Sequence, residues 1–346
     1  MADYSYQIHS AEQTLNKAIK KNVPSVLAGT PGCGKTVISH IIIHKYIQMY
    51  PNARVLVLTH GQNLLKNQYL DSLKNPMVEF DFSFGEFNSN AQVKIGLPHS
   101  IKTLDWDKID LLVVDECHEF YLKKMVQNII RNKCPRHQIL LTGSPSEFNG
   151  LGEDYEITYV SGEDLVGNDV FSSVEMDVVK VLYRKNAKES VKEMLDHAKR
   201  NGKDLSKIMI AVRNISEANN VSMYLKGIGR NVALSTCKND RENVAVKNFK
   251  NNKHDTLVVV QRGILGFSDN NITGMFDVRC SDSVDISNQL FARVLRKHPR
   301  NIEKFYYRCG MEGKDFNNQV IMLHKVKSMM RRDIFTEYNG VNMVVE

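Results

Sequence analysis

Two kinds of hydrophobic pattern alternate along the chain. Short continuous apolar runs stand at 24–28, 55–58, 111–114, 138–141, 207–212, 232–235 and 256–260. Runs of four to six apolar residues between polar or turn residues are the mark of strands buried on both faces. Between them lie longer segments with helical spacing: 5–21, with Ala11, Leu15, Ala18 and Ile19 on one stripe, then 37–46, 62–73, 120–132, 190–201, 215–228, 241–251, 287–296 and 316–330. Strand and helix alternating in this way predict an α/β chain of parallel sheets covered by helices. The pattern runs twice, with a Gly-, Asp- and Glu-rich interval over 150–175 between the halves. The expected domains are 1–165 and 175–346. Residues 76–98 are mixed, with Phe80, Phe82, Phe84 and Phe87 among Gly and Asn, and read as a small strand and a loop. Alternating phenylalanines belong to a core more often than to a base-stacking surface.

Length agrees with two domains, since 346 residues exceed one ordinary core. Hydrophobic content of 42% and charged content of 25% are ordinary for a globular chain. A net charge of +7 permits a polyanionic partner without requiring one. The six cysteines, at 33, 117, 134, 237, 280 and 309, form no C-x-x-C pair and no Cys/His metal spacing, which argues against zinc and for a reduced, cytoplasmic protein. The amino terminus shows no charged-then-apolar signal pattern, and no apolar run approaches the ~20 residues that span a bilayer. A monomer without membrane contact is expected.

The chemistry centres on Gly29-Thr30-Pro31-Gly32-Cys33-Gly34-Lys35-Thr36, a phosphate-binding loop between a predicted strand and a predicted helix. Glycine permits the backbone conformations and close approach the loop needs. Its N–H groups and the helix N-terminus then face phosphate oxygens. Lys35 supplies a positive charge to the β- and γ-phosphates, and the Thr36 hydroxyl can bind Mg²⁺. The loop alone says nucleotide; kinases and transporters use it too.

Some eighty residues on, the strand 111–114 ends in Asp115-Glu116-Cys117-His118. Asp115 is placed to hold Mg²⁺, and Glu116 to accept a proton from an attacking water. Thr59-His60 and Thr142-Gly143-Ser144-Pro145 close two further strands, where ligands gather in open α/β sheets, although caps and turns use the same residues. In the second half, Gln289, Arg293 and Arg296 share one helix face. A basic surface helix and a set of arginine fingers both fit them. Lys325, Lys327, Arg331 and Arg332 in the last helix read as a solvated face before a nucleic-acid contact.

Taken in order, Gln13, the loop 29–36, Thr59-His60, Asp115-Glu116-Cys117-His118, Thr142 to Pro145, the glycine loop 263–268 and Gln289 to Arg296 resemble the superfamily-two helicases, and within them the DExH group. The resemblance spans residues 9–298, and the small size is similar to compact phage-type helicases that remodel branched DNA. It implies two tandem RecA-like domains with a cleft between them, and ATP with Mg²⁺ as ligands. It also implies a nucleic-acid partner, DNA before RNA. By position, Gln13 would read adenine. Gly29, Thr30, Gly32, Cys33, Gly34, Lys35, Thr36 and Asp115 would hold nucleotide and metal. Glu116, Gln289, Arg293 and Arg296 would serve hydrolysis. His118, Thr142 and Ser144 would couple hydrolysis to movement, and Thr59, His60 and Ser100 would touch the nucleic-acid backbone. Two departures stand out. Ala292 replaces the usual glycine of the arginine motif, and the usual G-x-D reads Gly266-Phe267-Ser268 with Asp269 one residue later. An ATP-gated binding or annealing module, an RNA helicase and a P-loop kinase are the alternatives.

Overall fold

The computed structural model describes residues 4–59, 82–84, 90–97, 104, 106–143, 154–182, 186–240, 244–260 and 269–328. They form two compact units that meet in sequence at Leu165 and Val166.

The first unit opens with α1 (Ser5–Lys21), β1 (Ser25–Gly29) and α2 (Lys35–Met49). It continues through β2 (Val55–Leu58), β3 (Phe82–Phe84), β4 (Val93–Gly96), β5 (Leu111–Val114), α3 (Cys117–Phe120), α4 (Lys124–Lys133), β6 (His137–Thr142) and β7 (Glu156–Val160). A short α5 (Gly162–Gly167) follows. The strands lie in the order β3-β4-β2-β5-β6-β1-β7, all parallel. Every residue of β1, β2, β4 and β5 is buried; β2 and β5 are continuous apolar runs, while β4 buries Lys94 as well. α1 ends at Asn22, left-handed at φ 52°, whose N–H caps the Ala18 carbonyl.

The second unit contains β8 (Val174–Lys180), α6 (Ala187–Arg200), β9 (Ile208–Ala211), α7 (Ile215–Gly227), β10 (Val232–Ser235), α8 (Val244–Lys250), β11 (Thr256–Val259), β12 (Gly274–Asp277), α9 (Val284–Leu295), β13 (Lys304–Gly310) and α10 (Lys314–Ser328). Its sheet runs β10-β11-β9-β12-β13-β8, again all parallel. Side chains of Asn186, Asn214 and Ser283 cap α6, α7 and α9, accepting from Glu189 N, Glu217 N (2.9 Å) and Ile286 N.

The parallel α/β architecture expected from the pattern is therefore present in both halves. The helix expected over 62–73 lies outside the described residues, the one expected over 120–132 is divided into α3 and a later-starting α4, and those expected over 190–201 and 287–296 start three residues earlier than periodicity places them. Residues 76–98, read as one small strand and a loop, hold two strands, β3 and β4, and four more, β7, β8, β12 and β13, stand where the pattern marks none. β7 and β8 are sheet edges with partly exposed, mixed residues. β13, Lys304-Phe305-Tyr306-Tyr307-Arg308-Cys309-Gly310, is buried throughout despite two charged side chains.

Those charges are accommodated by specific partners. Arg308, fully buried, donates to Ser287 Oγ (2.7 Å), the Ser281 carbonyl (2.9 Å) and Gln319 Oε1 (2.8 Å), and lies 3.6 Å from Asp277. Asp277 accepts from Tyr306 Oη (2.9 Å) and Cys280 N (3.0 Å). One guanidinium thus ties β13 to the first turn of α9 and to α10. Removing one partner of a buried charged pair strands the other. Arg308→Met is expected to cost this unit about 3 kcal/mol or more in urea denaturation of the full chain. A loss under about 1 kcal/mol would contradict that role for the network.

Candidate nucleotide site

Parallel registration brings the first unit's polar groups to one edge. Ala28 pairs with Thr142, and Leu58 with Val114, so β1, β6, β2 and β5 end together. The loop 29–34 springs from the end of β1. Gly32 and Gly34 take φ of 96° and 85°, which side-chain-bearing residues rarely adopt. A Cβ on Gly29 would stand 2.6 Å from Cys33 Sγ, so the turn closes only without one. Thr30 N donates to the Val160 carbonyl (3.2 Å), while its buried hydroxyl has no partner. Cys33 is fully buried, and Thr36 lies half-buried in the first turn of α2.

Lys35, 9% exposed, reaches back to the Gly29 carbonyl (3.4 Å). A Cβ on Gly143, just past β6, would sit 3.1 Å from Lys35 Nζ and 3.3 Å from Pro31 Cγ. Gly143 therefore leaves open the space the lysine faces. Asp115 sits beyond β5, its N bonded to the Leu58 carbonyl (2.8 Å) and its Oδ1 accepting from Glu116 N (3.0 Å). Burial raises its pKa, the Glu116 charge adds to that, and the Lys35 ammonium opposes it. Burial likewise pushes the Cys117 thiol up. Glu116 is left-handed at φ 47°, a strained backbone for a residue with a side chain. His118 Nδ1 lies 3.1 Å from Thr142 Oγ1 and 3.6 Å from Glu116 Oε2. Lys35, Thr36, Asp115, Glu116, His118, Thr142 and the glycines of the loop thus gather around the ends of three adjacent strands.

Other expected residues stand apart. Gln13 is exposed on α1 and hydrogen-bonded to His9 Nε2 (2.8 Å). Tyr6 and Gln7, one to two turns earlier, meet the loop instead. Tyr6 Oη donates to the Cys33 carbonyl (2.7 Å), and Gln7 Nε2 lies 2.5 Å from where a Gly34 Cβ would be. The buried stripe of α1, Ala11, Thr14 and Ala18, places Gln7 on the packed face and Gln13 nearly opposite. That signal was available in the helical spacing. Thr59 is buried, its N bonded to the Gly96 carbonyl (3.0 Å). His60, Ser100, Ser144 and the loop 261–268 lie outside the described residues.

In the second unit, Gln289 and Arg293 are half-buried on α9, and Arg296 ends that helix, bridged to Phe171. Ala292 is buried. Asp269 is committed to Lys207 Nζ (2.6 Å) and Asn271 N (2.9 Å).

Set beside known proteins, residues 1–147 match the sequence family described as "Type III restriction enzyme, res subunit". No curated protein matches the chain. Among solved structures, it is similar to the ATP-dependent Type ISP restriction-modification enzyme LlaBIII bound to DNA, with TM-score 0.69 and 13% identity over 95% of this chain and 30% of that one. It is similar also to S. cerevisiae Dbp5 bound to RNA and ADP BeF3, at 0.64 and 14% over 92% and 86%. The Pyrococcus furiosus Hef helicase domain matches at 0.60 and 15%, over 91% and 97%. These likenesses show the fold: two tandem RecA-like units. Among the described residues no helix is long and apolar enough to cross a membrane.

The raised Asp115 pKa has a consequence for stability. The fold prefers this carboxyl protonated, so its contribution is full below the ordinary carboxylate range and is lost as pH rises through the raised value. Asp115→Asn is expected to stabilise the ligand-free chain by at least about 1 kcal/mol at pH 8 and by nothing at pH 3, in thermal denaturation across pH. An equal effect at both pH values would contradict the burial argument.

Proposed function

We propose that this chain is an ATP-dependent nucleic-acid helicase or translocase, acting on DNA, at forks or branched junctions, in preference to RNA. One observation carries the reading: the phosphate loop, the Asp115-Glu116 turn and the His118–Thr142 contact converge at the ends of adjacent strands. A phosphate loop with an acidic pair suits ATP hydrolysis. A histidine of that acidic turn bonded to the next strand suits a site whose state is passed on. The match of residues 1–147 supports the same reading.

In this proposal the loop N–H groups and Lys35 bind the triphosphate, and Glu116 accepts the proton of the attacking water. Thr36, at the start of α2, and Asp115, a buried carboxylate offset only in part by Lys35, fit a divalent cation. They would hold Mg²⁺, which when bound offsets phosphate charge. Gln289, Arg293 and Arg296 serve the γ-phosphate, so that only the triphosphate state makes the full set of contacts and hydrolysis releases it. Tyr6 and Gln7 join the loop from α1, and Gln7 takes the adenine-side role in place of Gln13.

Steady-state ATPase assays test this with single strands, duplexes, forks and four-way junctions, as DNA and as RNA, since both polynucleotides occur among the matched structures. Lys35→Ala is expected to abolish polynucleotide-stimulated turnover, and Arg293→Ala to lower kcat by ~10³-fold. Stimulated turnover that survives both changes would remove the proposal. Strand displacement run beside plain binding separates a helicase from an ATP-gated annealing module.

The two glutamines give a further expectation. Gln7→Ala raises the KM for ATP severalfold while Gln13→Ala leaves it within about twofold. The reverse ranking would return the role to Gln13.

A further inference from the structure

We infer that the second unit carries an anion site at the amino-terminal edge of its sheet, suited to a phosphate monoester and separate from the phosphate loop. The residues that precede five of its strands close around a cavity of ≈ 390 Å³. Lys207 comes just before β9, Asn231 before β10, Asp255 before β11, Asn271 before β12, and His298 to Arg300 before β13. The volume falls in the range of small-molecule pockets, ~300–1,000 Å³, and exceeds what a bare phosphate fills.

Charge sets the class of ligand. Lys207, 7% exposed at its side chain, bonds Asp269 Oδ2 (2.6 Å) and Asn252 Oδ1 (2.6 Å). Lys304, fully buried, donates to the Asn270 carbonyl (3.0 Å) and shares Asp269 electrostatically, so two buried ammonium groups meet one carboxylate. Arg300 pairs with Asp204 (2.8 Å), and Asp255 with Arg230 (3.1 Å). Lys253 adds a further cation to the wall. Among the residues that line the cavity, three cations (Lys207, Lys253, Arg300) thus stand against one carboxylate (Asp255), an excess of two. Behind the wall, burial lowers the Lys304 pKa to about 7 against the Asp269 charge, with Arg296 adding to the lowering. A dianion in the cavity matches the excess.

The wall is ordered for recognition. His254 Nδ1 lies 2.7 Å from Asn231 Oδ1, and Asn231 Nδ2 donates to the Lys253 carbonyl (2.7 Å), which fixes the backbone carrying Lys253 and His254. His298 Nδ1 accepts from Arg300 N (3.1 Å). A phosphate monoester carries nearly two charges at neutral pH, whereas an internal phosphodiester carries one. The chemistry therefore favours a 5′-phosphate, either of a free mononucleotide or of a strand end.

Calorimetric titration of the full chain carrying Lys35→Ala, which disables the phosphate loop, separates these sources. The probes are thymidine 5′-monophosphate, thymidine, and a short oligothymidylate with a 5′-phosphate or a 5′-hydroxyl. Each phosphorylated probe that binds is expected to exceed its unphosphorylated partner at least tenfold, and Lys253→Ala with His254→Ala to remove at least tenfold of that affinity. Binding of the monophosphate alone assigns the site to free esters, and equal binding of the phosphorylated strand assigns it to strand ends. Equal affinity with and without phosphate, or no effect of the double substitution, overturns the inference. Histidine-selective NMR of the unsubstituted chain gives a local readout independent of how Lys35→Ala folds. The His254 resonance, assigned with His254→Gln, shifts as thymidine 5′-monophosphate saturates, and an unmoved resonance also overturns the inference.

Discussion

The first unit's site turns on a buried carboxyl lying in the field of a buried ammonium. Lys35 and Asp115 are each about nine-tenths buried, at the ends of strands two apart in the sheet, and each lessens the cost of the other's charge. The Lys35 ammonium offsets only part of the burial that holds the Asp115 carboxyl protonated. The parallel register of β1, β6 and β5 holds them near one another, and the glycine turn lets Lys35 curl back over the end of β1. The left-handed Glu116, the His118–Thr142 contact and the bare Cα of Gly143 are arranged around that pair.

The second unit solves the same architectural problem without a phosphate loop. Its sheet is also all parallel, with an apolar core packed against it. Arg308 and Asp277 bind strand to helix, so the orientation of α9, and with it Gln289 and Arg293, follows from a network with no exposed member among those two. At the opposite edge, around Lys207, Asp269 and Lys304, cations outnumber carboxylates. One edge is closed internally, and the other has charge to spare.

How much of this was legible in sequence depended on whether a residue's role is local. The loop 29–36 and the turn 115–118 could be read because their chemistry is contiguous and their flanks are uniformly apolar. β13 could not, because Lys304 and Arg308 look like surface residues until partners distant in sequence, Asn270, Ser287 and Gln319, are brought to them. β7 and β8, as edges, carry mixed residues that dilute any period. Sequence distance from the loop points to Gln13, while the helical phase of α1 turns Gln7 toward Gly34. Asp269 lies one residue past its expected place and is held by Lys207, a contact no spacing rule contains.

The central claim is that the space between Lys35, Pro31 and Gly143 receives a triphosphate. Equilibrium titration with a non-hydrolysable ATP analogue and Mg²⁺, comparing the unaltered chain with Gly143→Val, tests it most directly. A Cβ at Gly143 would already stand 3.1 Å from Lys35 Nζ, and the valine methyls extend further. The account predicts at least a tenfold loss of affinity with the unfolding temperature unchanged. Undiminished affinity in Gly143→Val would contradict it.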